Sequence, residues 1–180
     1  MEALEEAPWE YSFPPFFTLQ PNEETRRRQL ATWADWVLAY TKRANINRLV
    51  VADAPQMELF SNRAIARSLN ADGIRSVLDY LEQRGNLEWI DGGTSCLLIW
   101  QSPARWAQLL YDWAVRTGNT DTVCTFYELR EGESTESEPF HGIDAEMLRK
   151  AVAALQREHK AELIQMNDAP NDLEDGIKFF

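Results

Sequence analysis

Two stretches, "LNADGIRSVLDYLEQRGNLEWI" (Leu69 to Ile90) and "IDAEMLRKAVAALQREHKAELI" (Ile143 to Ile164), align without a gap, every position shifting by the same 74 residues. Ala71 falls on Ala145, Arg75 on Arg149, Leu81 on Leu155, Glu88 on Glu162 and Ile90 on Ile164. The apolar pattern coincides too: Ile74, Val77, Leu78 and Leu81 match Leu148, Ala151, Val152 and Leu155. Both sets follow the i, i+3, i+4, i+7 spacing of an amphipathic helix. Asn70 and Asp144 hold equivalent N-cap positions, where a short side-chain oxygen accepts from a free backbone N–H of the first turn. Gly85 stops the first helix, and an apolar strand follows in each copy, Leu87 to Ile90 and Leu163 to Met166. A hairpin completes each: "DGGT" (Asp91 to Thr94) is a strong turn signal before "SCLLIW", and "NDAPNDLEDG" is a longer loop before "IKFF".

Each copy also opens with a helix. "NEETRRRQLATWADWVLAYTKR" runs from an Asn22 cap through acids in the first turn to Lys42 and Arg43 in the last, matching the helix dipole at both ends. Its apolar stripe is read as Leu30, Trp33, Ala34, Val37 and Leu38. The counterpart "SPARWAQLLYDWAVRTG" has Ser102 as cap, Pro103 at the first helical position and Gly118 as stop. Between opener and final helix, "RLVV" and "VCTFYEL" read as strands, and "ELFSNRAIARSL" as one short helix or two. Helix, strand, helix, helix and hairpin is the order of a winged helix-turn-helix module. The expected fold is α+β: two tandem winged-helix domains, 22–101 and 102–180, preceded by an extended aromatic and proline-rich arm, 1–21.

Charge argues against nucleic acid as a partner. The chain carries a formal net charge of -11, a field that repels phosphate backbones. The helix that would enter a major groove carries a net charge of -1 over Asp72 to Arg84, and its counterpart over Asp144 to Lys160 only +1. A DNA reader neutralises several phosphates with such residues. The run Arg26-Arg27-Arg28 follows Glu23 and Glu24 and reads as a solvated helix face.

Enzymatic chemistry finds no footing either. His141 and His159 are not spaced with cysteines or carboxylates as metal ligands would be, Cys124 has no histidine in a nucleophile motif, and the glycines form no phosphate-cradling loop. No cofactor or metal is expected. Cys96 and Cys124 sit in apolar, β-prone runs, as buried thiols in reducing surroundings would. "MEALEEAPWE" lacks the features of a secretory signal, and no apolar run is long enough to span a bilayer, so the expectation is a soluble cytoplasmic protein. The acidic run "EGESTESEPFHG" (Glu131 to Gly142) reads as a mobile surface loop, with Ser134 and Thr135 as candidate phosphorylation sites for an acid-directed kinase.

The arm contains "WEYSFPPFFTLQ" (Trp9 to Gln20), five aromatic residues around two adjacent prolines. Pro14 and Pro15 favour extended, polyproline-like geometry that splays neighbouring rings with little entropy left to lose. Physics alone leaves two readings open: a strap over the protein's own core, or a docking arm for a groove on a partner.

The run "WEYSFPPFFTLQPN", followed by "TRRRQLATW", "GNLEWI", "FYEL", "FHGID", "LQREHKAELI" and "GIKFF", resembles the family of the small subunit of the ESCRT-II complex. The resemblance implies a non-enzymatic scaffold, cytoplasmic and peripherally recruited to the endosomal membrane without direct membrane insertion. Two copies would serve each complex, each attached to one of two larger winged-helix subunits through Pro-Pro-x-aromatic motifs. Here Pro14-Pro15-Phe16-Phe17 fits the motif, and Pro8-Trp9-Glu10-Tyr11 keeps one proline and the tyrosine. The anchoring residues would be Trp9, Tyr11, Phe13, Pro14, Pro15, Phe16 and Phe17, and alanine at Phe16 and Phe17 would release the subunit with its melting temperature nearly unchanged. The resemblance further implies that the second domain holds the N-terminal helix of an ESCRT-III subunit, starting the polymer that packages ubiquitinated cargo into multivesicular bodies. Strand residues Val123, Thr125 and Tyr127, with Lys160, are the candidates for that contact. The alternative class is an acidic winged-helix adaptor in a transcription or polymerase assembly.

Overall fold

The computed structural model describes residues 7–165 and 174–180. The chain divides into two compact units, Met1–Trp100 and Gln101–Phe180. The first begins with two short 3-10 turns, Trp9–Ser12 and Pro14–Phe17, and continues through helix α1 (Glu23–Arg43), strand β1 (Arg48–Val50), a small hairpin of β2 (Ser61–Asn62) and β3 (Arg67–Ser68), helix α2 (Ala71–Gln83) and a wing of β4 (Leu87–Ile90) and β5 (Ser95–Leu98). The second runs α3 (Pro103–Thr117), β6 (Val123–Thr125), α4 (Phe126–Glu131), α5 (Ala145–Arg157), β7 (Ala161–Ile164) and β8 (Gly176–Phe179). The two three-stranded antiparallel sheets have the same order, β1-β5-β4 and β6-β8-β7. That is the winged-helix plan, twice.

The helix starts follow from their caps. The side chains of Asn22, Asn70 and Ser102 accept from the N–H groups of Thr25, Gly73 and Arg105, and Asp144 accepts from that of Glu146. The repeat survives to the residue: α2 and α5 occupy equivalent positions, as do β4 and β7, so the strand after α5 begins earlier than the expected Leu163. Met166 and most of the long loop before β8 lie outside the described residues.

Two expectations fail for local reasons. The segment around "SNRAIARS" is no α-helix but a hairpin whose turn holds a single 3-10 turn, Arg63–Ile65. Asn62 caps the N–H of Ala64, Ala66 turns left-handed at φ 49°, and the chain folds back so that the Leu69 N–H reaches the Phe60 carbonyl at 2.9 Å. Leu59, Phe60 and Leu69 are all buried, which anchors both ends of the hairpin and leaves no helical stripe. Nor does the strand of the second unit reach Tyr127. Thr125 and Glu128 form a reciprocal capping box that starts α4 at Phe126, a T-x-x-E signature written in the sequence.

The acidic run is an ordered cap on the second core. Phe140 is fully buried with its ring 5.9 Å from that of Trp113, and Arg116 holds Glu138 at 2.5 Å. Cys96 and Cys124 are free and buried, and burial pushes the Cys96 thiol up to about 12.

The repeat makes one stability comparison unusually direct. After α2, Gly85 takes φ 76° while the N–H of Asn86 bonds the Leu81 carbonyl; after α5, His159 takes φ 56° at the equivalent position while Lys160 bonds Leu155. A left-handed residue at this point is normally glycine, because a Cβ there meets the following carbonyl. His159→Gly is expected to stabilise the second domain by about 1 kcal/mol in urea denaturation, and Gly85→His to destabilise the first by a similar amount.

Candidate partner-docking site

The aromatic segment is not an extended arm. Pro14 and Pro15 open the second 3-10 turn, where their fixed φ and missing N–H suit a first helical turn as well as they suit polyproline geometry. The backbone is extended at the joints, at Pro8, Phe13 and Thr18. The result is a two-sided ridge. Tyr11, Phe16 and Phe17 point inward, each at most 5% exposed and part of the core of the first unit. Trp9 is 72% exposed and Phe13 48%, with ring centroids 5.9 Å apart, and Pro14 and Pro15 are exposed beside them.

The inward side is held by rings and by hydrogen bonds. Phe16 stacks on Trp33 at 4.4 Å and 5°, and Phe17 meets the same indole edge-on at 5.4 Å. Tyr11 packs against Phe17 and Trp36, and its hydroxyl proton is shared between the carbonyl oxygens of Glu58 and Ser61. Burial, with Glu58 and Tyr40 nearby, pushes the Tyr11 phenol up from 10.0 to about 12. The Tyr11 carbonyl in turn accepts from Asn62 Nδ2 at 2.7 Å, so the small hairpin and the first turn hold each other.

The second turn is fastened to α1. The Phe16 carbonyl accepts from both Gln29 Nε2 at 2.8 Å and Trp33 Nε1 at 3.1 Å. Gln29 also donates to the Thr18 carbonyl at 2.9 Å and accepts from the Gln20 N–H at 3.1 Å. Gln29 and Trp36 are buried members of α1 that lie beside the apolar stripe read from the sequence, while Leu30 and Leu38 are only half-buried. The stripe is wider than periodicity suggests because the N-terminal turns cover a second flank of the helix. A glutamine one helical turn before Trp33 was the only signal for this in the sequence.

An open groove of ≈ 270 Å³ runs between the ridge and α1, with Trp9, Phe13, Pro15 and Phe16 on one side and Thr25, Arg28 and Thr32 on the other. Its surface is mostly apolar.

The remaining candidates do not form one site. Val123 and Tyr127 are each 53% exposed, but Thr125 is occupied with capping α4. Lys160 precedes β7, on the opposite edge of the sheet from β6, and sits 2.7 Å from Glu158 and over the Tyr111 ring. Ser134 is exposed; Thr135 is fully buried, its hydroxyl 2.9 Å from the Gly132 carbonyl and 3.0 Å from His141 Nδ1. Thr135 in this fold offers a kinase no hydroxyl. On the helices that would read DNA, Arg75 bonds Asp79 and lies 4.0 Å over Trp89, while Arg149 bonds the buried Asp175. Among the described residues no group of three or more His, Cys, Asp or Glu could hold a metal ion, and no helix is long and apolar enough to cross a membrane.

Fold and site together define a tandem winged-helix protein that carries an exposed aromatic and proline ridge ahead of its first helix. A family model described as "ESCRT-II complex subunit" matches residues 10–144. Vacuolar protein-sorting-associated protein 25 of Homo sapiens is 46% identical over 97% of this chain and 97% of its own length, that of Xenopus laevis 44% over 97% and 98%, and that of Drosophila melanogaster 38% over 96% and 97%. The crystal structure of subunit VPS25 of the endosomal trafficking complex ESCRT-II superposes with a TM-score of 0.81 at 30% identity, covering 95% of this chain and 97% of that one. A chain in the crystal structure of the endosomal complex ESCRT-II (VPS22/VPS25/VPS36) also gives 0.81, covering 99% and 100%. The chain belongs to the ESCRT-II complex subunit family.

Burial of Phe16 and Phe17 reverses the expectation for their removal. Alanine at either position should cost about 3–5 kcal/mol of domain stability, and Trp9→Ala should change it by less than about 0.5 kcal/mol. Thermal melts of the three variants check this.

Proposed function

We propose that the chain is a non-enzymatic scaffold subunit of ESCRT-II, acting in the sorting of ubiquitinated membrane cargo into multivesicular bodies. It works from the cytoplasm, recruited peripherally to the endosomal membrane. Two copies enter each complex, and each attaches to one of two larger winged-helix subunits, the counterparts of VPS22 and VPS36. The observation that carries this reading is the ridge: in a chain of this family, Trp9, Phe13, Pro14 and Pro15 face outward while their neighbours are locked into the core. Burying an aromatic side chain is worth roughly 1.5–3 kcal/mol, so two outward rings supply a docking anchor without a folding transition. Tyr11, Phe16 and Phe17 contribute as the inner face that holds the anchor, with Phe16 also forming part of the groove wall.

The second domain takes the N-terminal helix of an ESCRT-III subunit and starts its polymer. The exposed Val123 and Tyr127 support an apolar contact there; Thr125 is committed to capping α4, and Lys160, at the far sheet edge, is a separate charged candidate. Ser134 is the phosphorylation site in the acidic cap; peptide mass spectrometry that finds it always unmodified rules this out.

The double substitution Trp9→Ala with Phe13→Ala should remove the subunit from the assembled complex in size-exclusion chromatography while its own melting curve stays in place. Retention in the complex overturns the docking reading. For the second domain, Val123→Asp and Lys160→Glu should each weaken capture of the ESCRT-III helix, Val123→Asp by about tenfold or more, since a charge buried without a partner is costly. Unchanged capture by either variant removes that residue from consideration.

A further inference from the structure

We infer that Gln29 is a positioning residue of the docking ridge: it sets the direction of Trp9 and Phe13 by clamping the segment behind them. The inference rests on the docking reading above and extends it to a residue on α1 that has no place in the proline-aromatic motif.

A glutamine amide offers two N–H donors and one carbonyl acceptor. In the folded first domain, Gln29 bonds three backbone groups of the N-terminal segment: the carbonyls of Phe16 and Thr18 through Nε2, and the N–H of Gln20 through Oε1. The side chain is 7% exposed, so an amide without these partners would be left buried and unsatisfied. One side chain therefore spans the exit of the second 3-10 turn.

The constraint passes forward through that turn. Phe16 is held by its carbonyl, and its N–H bonds the Phe13 carbonyl at 2.9 Å, which closes the turn and fixes the backbone on which the Phe13 ring stands. Phe13 in turn bonds back to Glu10 at 2.8 Å, closing the first turn under Trp9, and the two exposed rings pack together. Trp33 Nε1 shares the Phe16 carbonyl but reaches neither Thr18 nor Gln20, so it does not replace the clamp. A ridge held this way binds in its free conformation. One that must first be captured from a looser ensemble has its apparent affinity reduced by the competent fraction.

The test uses Gln29→Met, which keeps length and volume and removes all three bonds, with Gln29→Glu as a second variant that keeps the shape and loses the donors. Two measurements are made on the full chain. Hydrogen exchange should show the Phe16, Thr18 and Gln20 amides losing protection while those of α2 keep it. Affinity for the VPS22 and VPS36 subunits should fall about tenfold, equivalent to about 1.4 kcal/mol, and this loss should shrink when Gln29→Met is made in the Trp9→Ala background, which keeps the Phe13 ring to bind. A loss of equal size in both backgrounds, or no loss of affinity or protection in either variant, overturns the inference. If the ring substitutions alone leave affinity unchanged, the docking reading has failed, and the exchange result then decides whether the clamp itself exists.

Discussion

The Phe16 residue is where the first domain is closed. Its ring lies flat on Trp33 and its carbonyl takes two N–H bonds from α1. Stacked aromatic pairs contribute about 0.5–1.5 kcal/mol beyond their buried area, and the two hydrogen bonds satisfy a carbonyl that would otherwise be buried bare. The second turn depends on it, while the first is held as well by Tyr11 and Asn62. The turns hold their shape because Phe16 and Phe17 are in the core, and the exposed rings keep their direction because the turns hold. A segment that looks like a tail is, energetically, an additional layer of the winged helix.

This arrangement separates stability from recognition within a dozen residues. Side chains facing α1 are committed to the fold, and those facing away are free of it, so the exposed apolar surface is already ordered. Ordering costs that usually oppose the binding of a flexible peptide are met at folding and not at association. The same separation recurs in the second domain. Thr125 is tied into a helix cap while Val123 and Tyr127 on either side of it stay exposed.

The two domains share a plan but not their polar details. The equivalent arginines Arg75 and Arg149 both lie over an aromatic ring, yet Arg75 is paired with an exposed Asp79 and Arg149 with the fully buried Asp175. Exposed ion pairs contribute little to stability, whereas leaving one member of a buried pair alone is strongly destabilising. The second domain has thus made its arginine part of the interior, as the first has made its N-terminal segment.

Local signals in the sequence determined the tandem architecture. The capping residues Asn22, Asn70, Ser102 and Asp144, the helical stripes of α2 and α5 and the turn before β5 act over a few residues, and each is found where its pattern placed it. The T-x-x-E box at Thr125 is equally local, and in the folded domain it prevails over β-prone neighbours to start α4. What tertiary structure alone decided was the fate of the prolines and rings before α1. A proline fixes φ but not ψ, so Pro14 and Pro15 are compatible with an extended arm and with a 3-10 turn. The choice was made by Trp33, Trp36 and Gln29, far enough along the chain that no periodicity links them to the segment they hold. Which rings face outward and which face the core is therefore a property of the packed domain, since it depends on contacts that exist only once α1 and the N-terminal turns have met.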